Sequence, residues 1–192
     1  LTNEGIAMAA MPLIWFQEPI GHWATPWWSY STYFTNIGNW AGHIPGAMSQ
    51  NIGVIPEPIP FSMACYPVIL GLPVFGIVWG MRWIKSRYPT ATVAQLLAGA
   101  CVFGLIYDFV LEHGPARLQV WSFQRVVSDW SLFAGTYYQY PIYEGIFFGG
   151  MAAAMASMLY FTDDKGRTFV EKGIDRFQLS APKRACLRFF AV

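Results

Sequence analysis

Charge is scarce in this chain. Asp, Glu, Lys and Arg make up 12% of its 192 residues, about half the share that soluble domains carry. A deficit of that size, spread along the chain, points to a membrane protein. The formal net charge is +1, so bulk charge indicates no nucleic-acid partner. Cysteine and histidine are also few. Cys65, Cys101 and Cys186 show no CxxC or paired spacing, and His22, His43 and His113 stand alone. Neither a zinc site nor a disulfide framework is indicated. The cysteines read as small hydrophobes, and no metal or other cofactor is expected. Basic residues are missing altogether from Glu18 to Pro60.

Apolar and aromatic residues fill the space left by charge. They amount to 55% and 18% of the chain, with nine Trp. Trp and Tyr favour the membrane–water interface, where an amphipathic ring meets both environments. Phe61 to Met81 is uncharged over 21 residues, and a bilayer core needs about 20. Pro67 and Pro73 should kink that span, which membrane helices tolerate. Ala91 to Leu111 is a second apolar run, interrupted by Thr92, Gln95 and Asp108, and Tyr137 to Phe161 is a third, which carries Glu144. Ile6 to Phe16 is apolar but short, and residues upstream are expected to complete it. The expected fold is therefore all-α: one polytopic membrane helix bundle over residues 1–192, with about four spans near 1–17, 61–81, 91–111 and 137–161.

The stretch from Glu18 to Pro60 reads as a long, aromatic-rich ordered loop, with a short interfacial helix around Trp27 to Asn36. Glu112 to Gly135 reads as a short amphipathic helix or as two strands. Gly145 and Gly149 form a small-xxx-small pair that lets a neighbouring backbone approach. The tail, 162–192, reads as a basic amphipathic segment on the membrane surface.

Ten of the twelve Lys and Arg fall on one side of this topology. Arg82, Lys85 and Arg87 lie between two spans, and seven more follow the last. The positive-inside rule makes that side cytoplasmic. The acids outside the cytoplasmic segments then gather toward the opposite face: Asp108 and Glu112 at one helix end, Glu144 about two turns into the last span, and Glu18 and Glu57 at the edges of the loop. Asp108 and Glu112 are four residues apart and share a helix face. An acid facing lipid at mid-span costs about 2.5–3.5 kcal/mol, so these groups should turn inward around a polar cavity. A neutral carboxyl there can donate a proton, and an ionised neighbour can accept one. The plainer alternative has Asp108 and Glu112 ending a helix in solvent, since "HGP" after Glu112 is a stop signal, and His43 as a turn residue in "AGHIPG".

Seven segments carry a resemblance. "WFQEP" (Trp15 to Pro19), "YSTYFTNIGNW" (Tyr30 to Trp40), "HIPG" (His43 to Gly46), "PEPIPF" (Pro56 to Phe61), "YDFVLE" (Tyr107 to Glu112), "LFAGTYYQYPIYE" (Leu132 to Glu144) and "YFTDDKGRTFVEKGID" (Tyr160 to Asp175) resemble, in order, the AveC-like spirocyclase family of actinobacteria. The match spans nearly the whole chain. The resemblance implies a membrane-embedded protein of the bacterial cytoplasmic membrane, acting on a lipophilic polyketide; the family's namesake forms the spiroketal of avermectin-type macrolides. Family members are longer, with further N-terminal spans. Glu18 stands where the family's "WxQ" is followed by Asp. That moves the carboxyl one methylene outward and leaves Glu18 outside the expected catalytic set.

Spiroketal closure of a dihydroxy-ketone needs a general acid for the departing hydroxyl and a carboxylate for the cation and the last proton. Under this reading Glu144 is the acid, Asp108 the cation-stabilising carboxylate or base, and Glu112 its supporting partner. Tyr138 and Gln139 hold substrate oxygens, and Tyr140, His43, Glu57 and Trp40 complete the substrate contacts. The expected partners are the bilayer and a lipophilic small molecule, with a homo- or hetero-oligomer open. Two alternatives remain: a cyclase or isomerase for another lipophilic substrate, and a non-catalytic membrane subunit packed against an enzyme or transporter.

Overall fold

The computed structural model describes residues 2–25 and 27–191, without the side chains of residues 59, 175 and 191. Helix α1 (Asn3–Ile14) starts where Thr2 accepts a hydrogen bond from the Gly5 N–H at 3.1 Å. It tightens into a 3-10 run, Trp15–His22. A second helical run is broken. Helix α2 (Ile59–Tyr66) passes through a π-turn, Pro67–Gly71, into α3 (Leu72–Arg87). Pro67 and Pro73 each lack an N–H donor, and the wider turn absorbs the bonds they interrupt. Helix α4 (Val93–Arg117) opens on a capping box between Thr92 and Gln95. Helix α5 (Ile142–Tyr160) follows, and the short α6 (Ala181–Ala191) closes the chain.

Among the described residues, three helices are long and apolar enough to cross a membrane: Pro60–Arg87, Val93–Arg117 and Ile142–Tyr160. The helical membrane class expected from the sequence holds, with three such spans among the described residues; the run near 1–17 is not one of them. Helix α1 has 12 residues, about 18 Å of rise, which is short of a hydrocarbon core about 30 Å thick.

Helices α4 and α5 make the closest pair. A Cβ at Gly104 would fall 2.5 Å from the Gly149 carbonyl oxygen, and one at Gly149 would fall 2.6 Å from the Leu105 nitrogen. Glycine is therefore required at both positions for the backbones to touch, and Gly149 belongs to the small-residue pair read from the sequence. Val74, Ile77, Val78 and Met81 of α3 pack with Leu96 and Ala100 of α4 and with Ala152, Ala153 and Ala156 of α5. Trp15, Tyr66 and Leu70 build a second cluster toward the other end.

Two small antiparallel pairs cap that end. Strand β1 (Trp28–Tyr30) pairs with β2 (Trp121–Phe123), placing Tyr30 opposite Trp121. Strand β3 (Ser131–Leu132) pairs with β4 (Tyr140–Pro141). The helix expected around Trp27 to Asn36 is thus replaced, at its start, by a strand. The last span begins at Ile142 instead of Tyr137, because Tyr140 and Pro141 are extended and paired. Helix α4 also runs through "HGP" to Arg117; Pro115 sits in its last turn, where it withholds one backbone bond from the Leu111 carbonyl and the helix ends two residues later.

The opposite end collects the basic residues. Arg82 of α3 meets Glu4 of α1 at 3.1 Å, and the Asn3 amide donates to the Gly166 carbonyl at 3.1 Å. Arg188 of α6 reaches both Glu171 and Asn3. The tail is therefore tied to the start of α1.

Candidate functional site

At the strand-capped end, α2, α4, α5 and the 3-10 run surround a cavity of about 240 Å³. Three carboxyls line it, each brought by a different element. Glu18 comes from the turn that prolongs α1, Glu112 from the last turns of α4, and Glu144 from the first turn of α5. Tyr30, Tyr66, Trp27, Trp28, Trp121 and Phe123 supply much of the wall.

Each carboxyl is held differently. Tyr30 donates its hydroxyl to Glu18 Oε1 at 2.6 Å, while Glu18 Oε2 is buried with no hydrogen bond of ordinary geometry among the described residues. Desolvation pushes the Glu18 carboxyl up to about 7, against the lowering effect of its Tyr30 and Tyr66 hydroxyl contacts. It therefore changes charge near neutrality. The Trp121 indole N–H donates to Glu112 Oε2 at 2.6 Å. Glu144 has no hydrogen-bond partner among the described residues and presents its carboxyl to the cavity.

Asp108 is not a wall of this cavity. It is fully buried at 0% exposure, and Tyr140 donates its hydroxyl to Asp108 Oδ2 at 2.6 Å. A Cβ on Gly145 would lie 3.1 Å from that same oxygen, so Asp108 is pressed against the α5 backbone beside Glu144. Asp108 therefore lies behind the cavity wall, not on it.

None of the residues expected to contact substrate lines this cavity. The Tyr138 ring carries the Arg117 guanidinium at 4.4 Å. Gln139 donates to the Phe123 carbonyl at 2.7 Å and accepts from the Gly135 N–H at 3.0 Å, which fastens β2 to the following turn. Tyr140 is engaged with Asp108. Trp40 donates to the Phe16 carbonyl at 3.1 Å and stacks on Phe16. His43 is exposed at the end of a 3-10 turn.

Glu57 is fully buried in a separate polar cluster. Asn39 donates to it at 2.8 Å, and His22 Nε2 lies 3.8 Å away. Desolvation, followed by the charge of Glu18, pushes Glu57 up to about 8, and desolvation pushes His22 down to about 4. The two are therefore a neutral pair at pH 7, not an ion pair.

Sequence reasoning left Glu18 out of the catalytic set and missed Tyr30, Tyr66 and Trp121. Both "WFQEP" and "YSTYF" lie in the motif segments, but nothing in a linear reading brings Tyr30 to Glu18. Among the described residues, no group of three or more His, Cys, Asp or Glu is arranged to hold a metal ion.

A helical membrane protein with carboxyls converging on a cavity at one end is the class that these observations define. The chain belongs to the AveC-like spirocyclase family, whose model matches residues 1–192. That membership points to a cyclase-type function. No curated protein and no solved structure gives a significant match.

Proposed function

We propose that this protein is a membrane-embedded spiroketal cyclase closing a lipophilic polyketide dihydroxy-ketone in the bacterial cytoplasmic membrane. The observation that carries this reading is the convergence of Glu18, Glu112 and Glu144 on one aromatic-walled cavity. Such a cavity also favours catalysis over a packing subunit, which would be expected to fill the space around Glu144.

One hydroxyl of the substrate adds to the ketone to give a hemiketal. Glu144, unencumbered by protein donors, gives its proton to the hemiketal hydroxyl, which leaves as water. The resulting oxocarbenium ion is opposed by the Glu18 carboxylate, whose ionised form the Tyr30 hydroxyl favours, while Glu112, held by Trp121, adds its dipole in the same low-dielectric site. The second hydroxyl attacks that carbon and passes its proton to Glu18. Transfer among the three carboxyls then restores Glu144. Asp108 acts as a positioning residue, through Tyr140 and the α5 backbone.

Ring closure also proceeds uncatalysed, so the protein's main contribution is to hold one closing conformer against shaped aromatic walls. Replacing Glu144 with Gln is expected to lower the rate about 10²–10⁴-fold, the range of general acid catalysis, with expression unchanged. Full activity and unchanged product configuration in Glu144→Gln would overturn the assignment.

A further inference from the structure

Helix α5 shows two different faces. Gly145, Gly149, Ala152, Ala153 and Ala156 are buried, and the two glycines lie against α4. Glu144, Phe147, Phe148 and Met151, at i, i+3, i+4 and i+7, all line the cavity. The cavity therefore descends about 10 Å along α5, two helical turns below the carboxyl. Helix α5 is itself long and apolar enough to span a membrane, so this descent lies in the hydrocarbon region.

The walls are not equally closed. Tyr30, Trp121 and Phe123, toward the strand-capped end, are buried. Phe147 is 76% exposed and Met151 37% exposed, and Gln17 and Gly21 on the 3-10 run are exposed as well. The cavity's open edge thus runs between that 3-10 run and α5. Ile69, in the π-turn of the broken helix, also borders the cavity. No Lys or Arg lines it. An open side with two large apolar side chains at spanning depth meets lipid, not water.

We infer that the cavity opens sideways into the outer half of the bilayer and takes its substrate directly from the hydrocarbon, with Phe147 and Met151 setting the bulk of the apolar chain that passes. This deepens the cyclase reading and rests on it. The volume of about 240 Å³ is near the small end of ligand pockets, roughly 300–1,000 Å³. It suits the reacting oxygens and two closing rings. The remainder of a larger lipophilic molecule extends along Phe147 and Met151 into lipid. The substrate class is therefore a molecule with an oxygenated head and an apolar body, and selectivity for the body resides at the opening.

The test uses the full chain in liposomes, with Cys65, Cys101 and Cys186 replaced by Ala and a nitroxide attached at Phe147→Cys or at Ile106→Cys. Ile106 is an exposed residue of α4 outside the cavity. Molecular oxygen, which concentrates in lipid, is expected to collide with the label at 147 more than a water-soluble nickel chelate does. An alkyl-substituted spiroketal added to the membrane is expected to lower oxygen collision at 147 and leave 106 unchanged. In a separate assay, Phe147→Ala is expected to raise kcat/KM for a branched-chain dihydroxy-ketone over a straight-chain one by about tenfold, the scale of a pocket-size change. Access by the nickel chelate above that by oxygen at 147 would overturn the lateral opening. So would equal responses to the spiroketal at 147 and 106. Loss or retention of product in Glu144→Gln bears on the chemistry alone, so failure of the opening and failure of the cyclase reading are read in different experiments.

Discussion

Tyr30 and Glu18 are joined by a 2.6 Å hydrogen bond that links β1 to the turn prolonging α1. The bond holds one cavity carboxyl in place and favours its ionised form. Burial opposes this more strongly, leaving the carboxyl at about 7. Tyr30→Phe removes the donor but keeps the ring, so the Glu18 pKa should move upward. The pH profile of kcat/KM for ring closure should then show an inflection near 7 in the parent protein and at higher pH in Tyr30→Phe. An unmoved inflection would separate Glu18 from the reaction.

Asp108 and Tyr140 form a second pair whose role is structural support. Tyr140→Phe leaves a buried carboxyl without its donor, which costs about 1–3 kcal/mol. Thermal unfolding in detergent should register this loss. The same variant should lower kcat more than it raises KM, because Asp108 lies behind the cavity wall and touches no substrate. A change confined to KM would contradict that placement.

Helix contact between α4 and α5 depends on two glycines. Gly149→Ala forces a Cβ onto the α4 backbone, and overpacking of this kind costs about 1–3 kcal/mol. Gly150→Ala is the control, since a Cβ there meets nothing within 4 Å. Alanine at 150 should raise helix stability by about 0.5–1 kcal/mol. Melting temperatures of the two variants should therefore move in opposite directions.

His22 and Glu57 make stability depend on pH with opposite signs. Glu57 moves from its ordinary 4.5 to about 8 on folding, so the folded chain holds a proton that the unfolded chain has released. Its contribution falls as pH rises from about 4.5 to about 8. His22 moves from 6.5 to about 4, so its contribution falls as pH drops from about 6.5 to about 4. Glu57→Gln should gain stability relative to the parent as pH rises from 5 to 8. Melting curves across that range would check it, and a gap independent of pH would contradict the neutral pair.

Much of the fold is legible in the sequence for one reason: hydrocarbon-length apolar runs have few other uses. Phe61 to Met81 lies inside one helical run, the second run is helical from Val93 onward, and Gly149 makes the close approach that small residues permit. What stayed hidden depends on distant partners. Strand β1 exists because residues about 90 positions away pair with it, and three residues carry no visible period. Tyr138, Gln139 and Tyr140 were expected inside the span that carries Glu144, yet Pro141 is extended and the helix begins only after it. Glu18 was set aside for its extra methylene. In the folded chain that longer side chain lines the cavity with one oxygen on Tyr30.

The central claim is that three carboxyls act on one reacting centre. Its most direct measurement is the handedness and rate of spiroketal formation from a lipophilic dihydroxy-ketone, with purified protein in liposomes. The parent is expected to yield one enantiomer in excess. Glu18→Gln, Glu112→Gln and Glu144→Gln are each expected to fall toward the racemic, uncatalysed background, while Asp108→Asn keeps the excess at a reduced rate. A full enantiomeric excess at the parent's rate in all three glutamine variants would contradict the account.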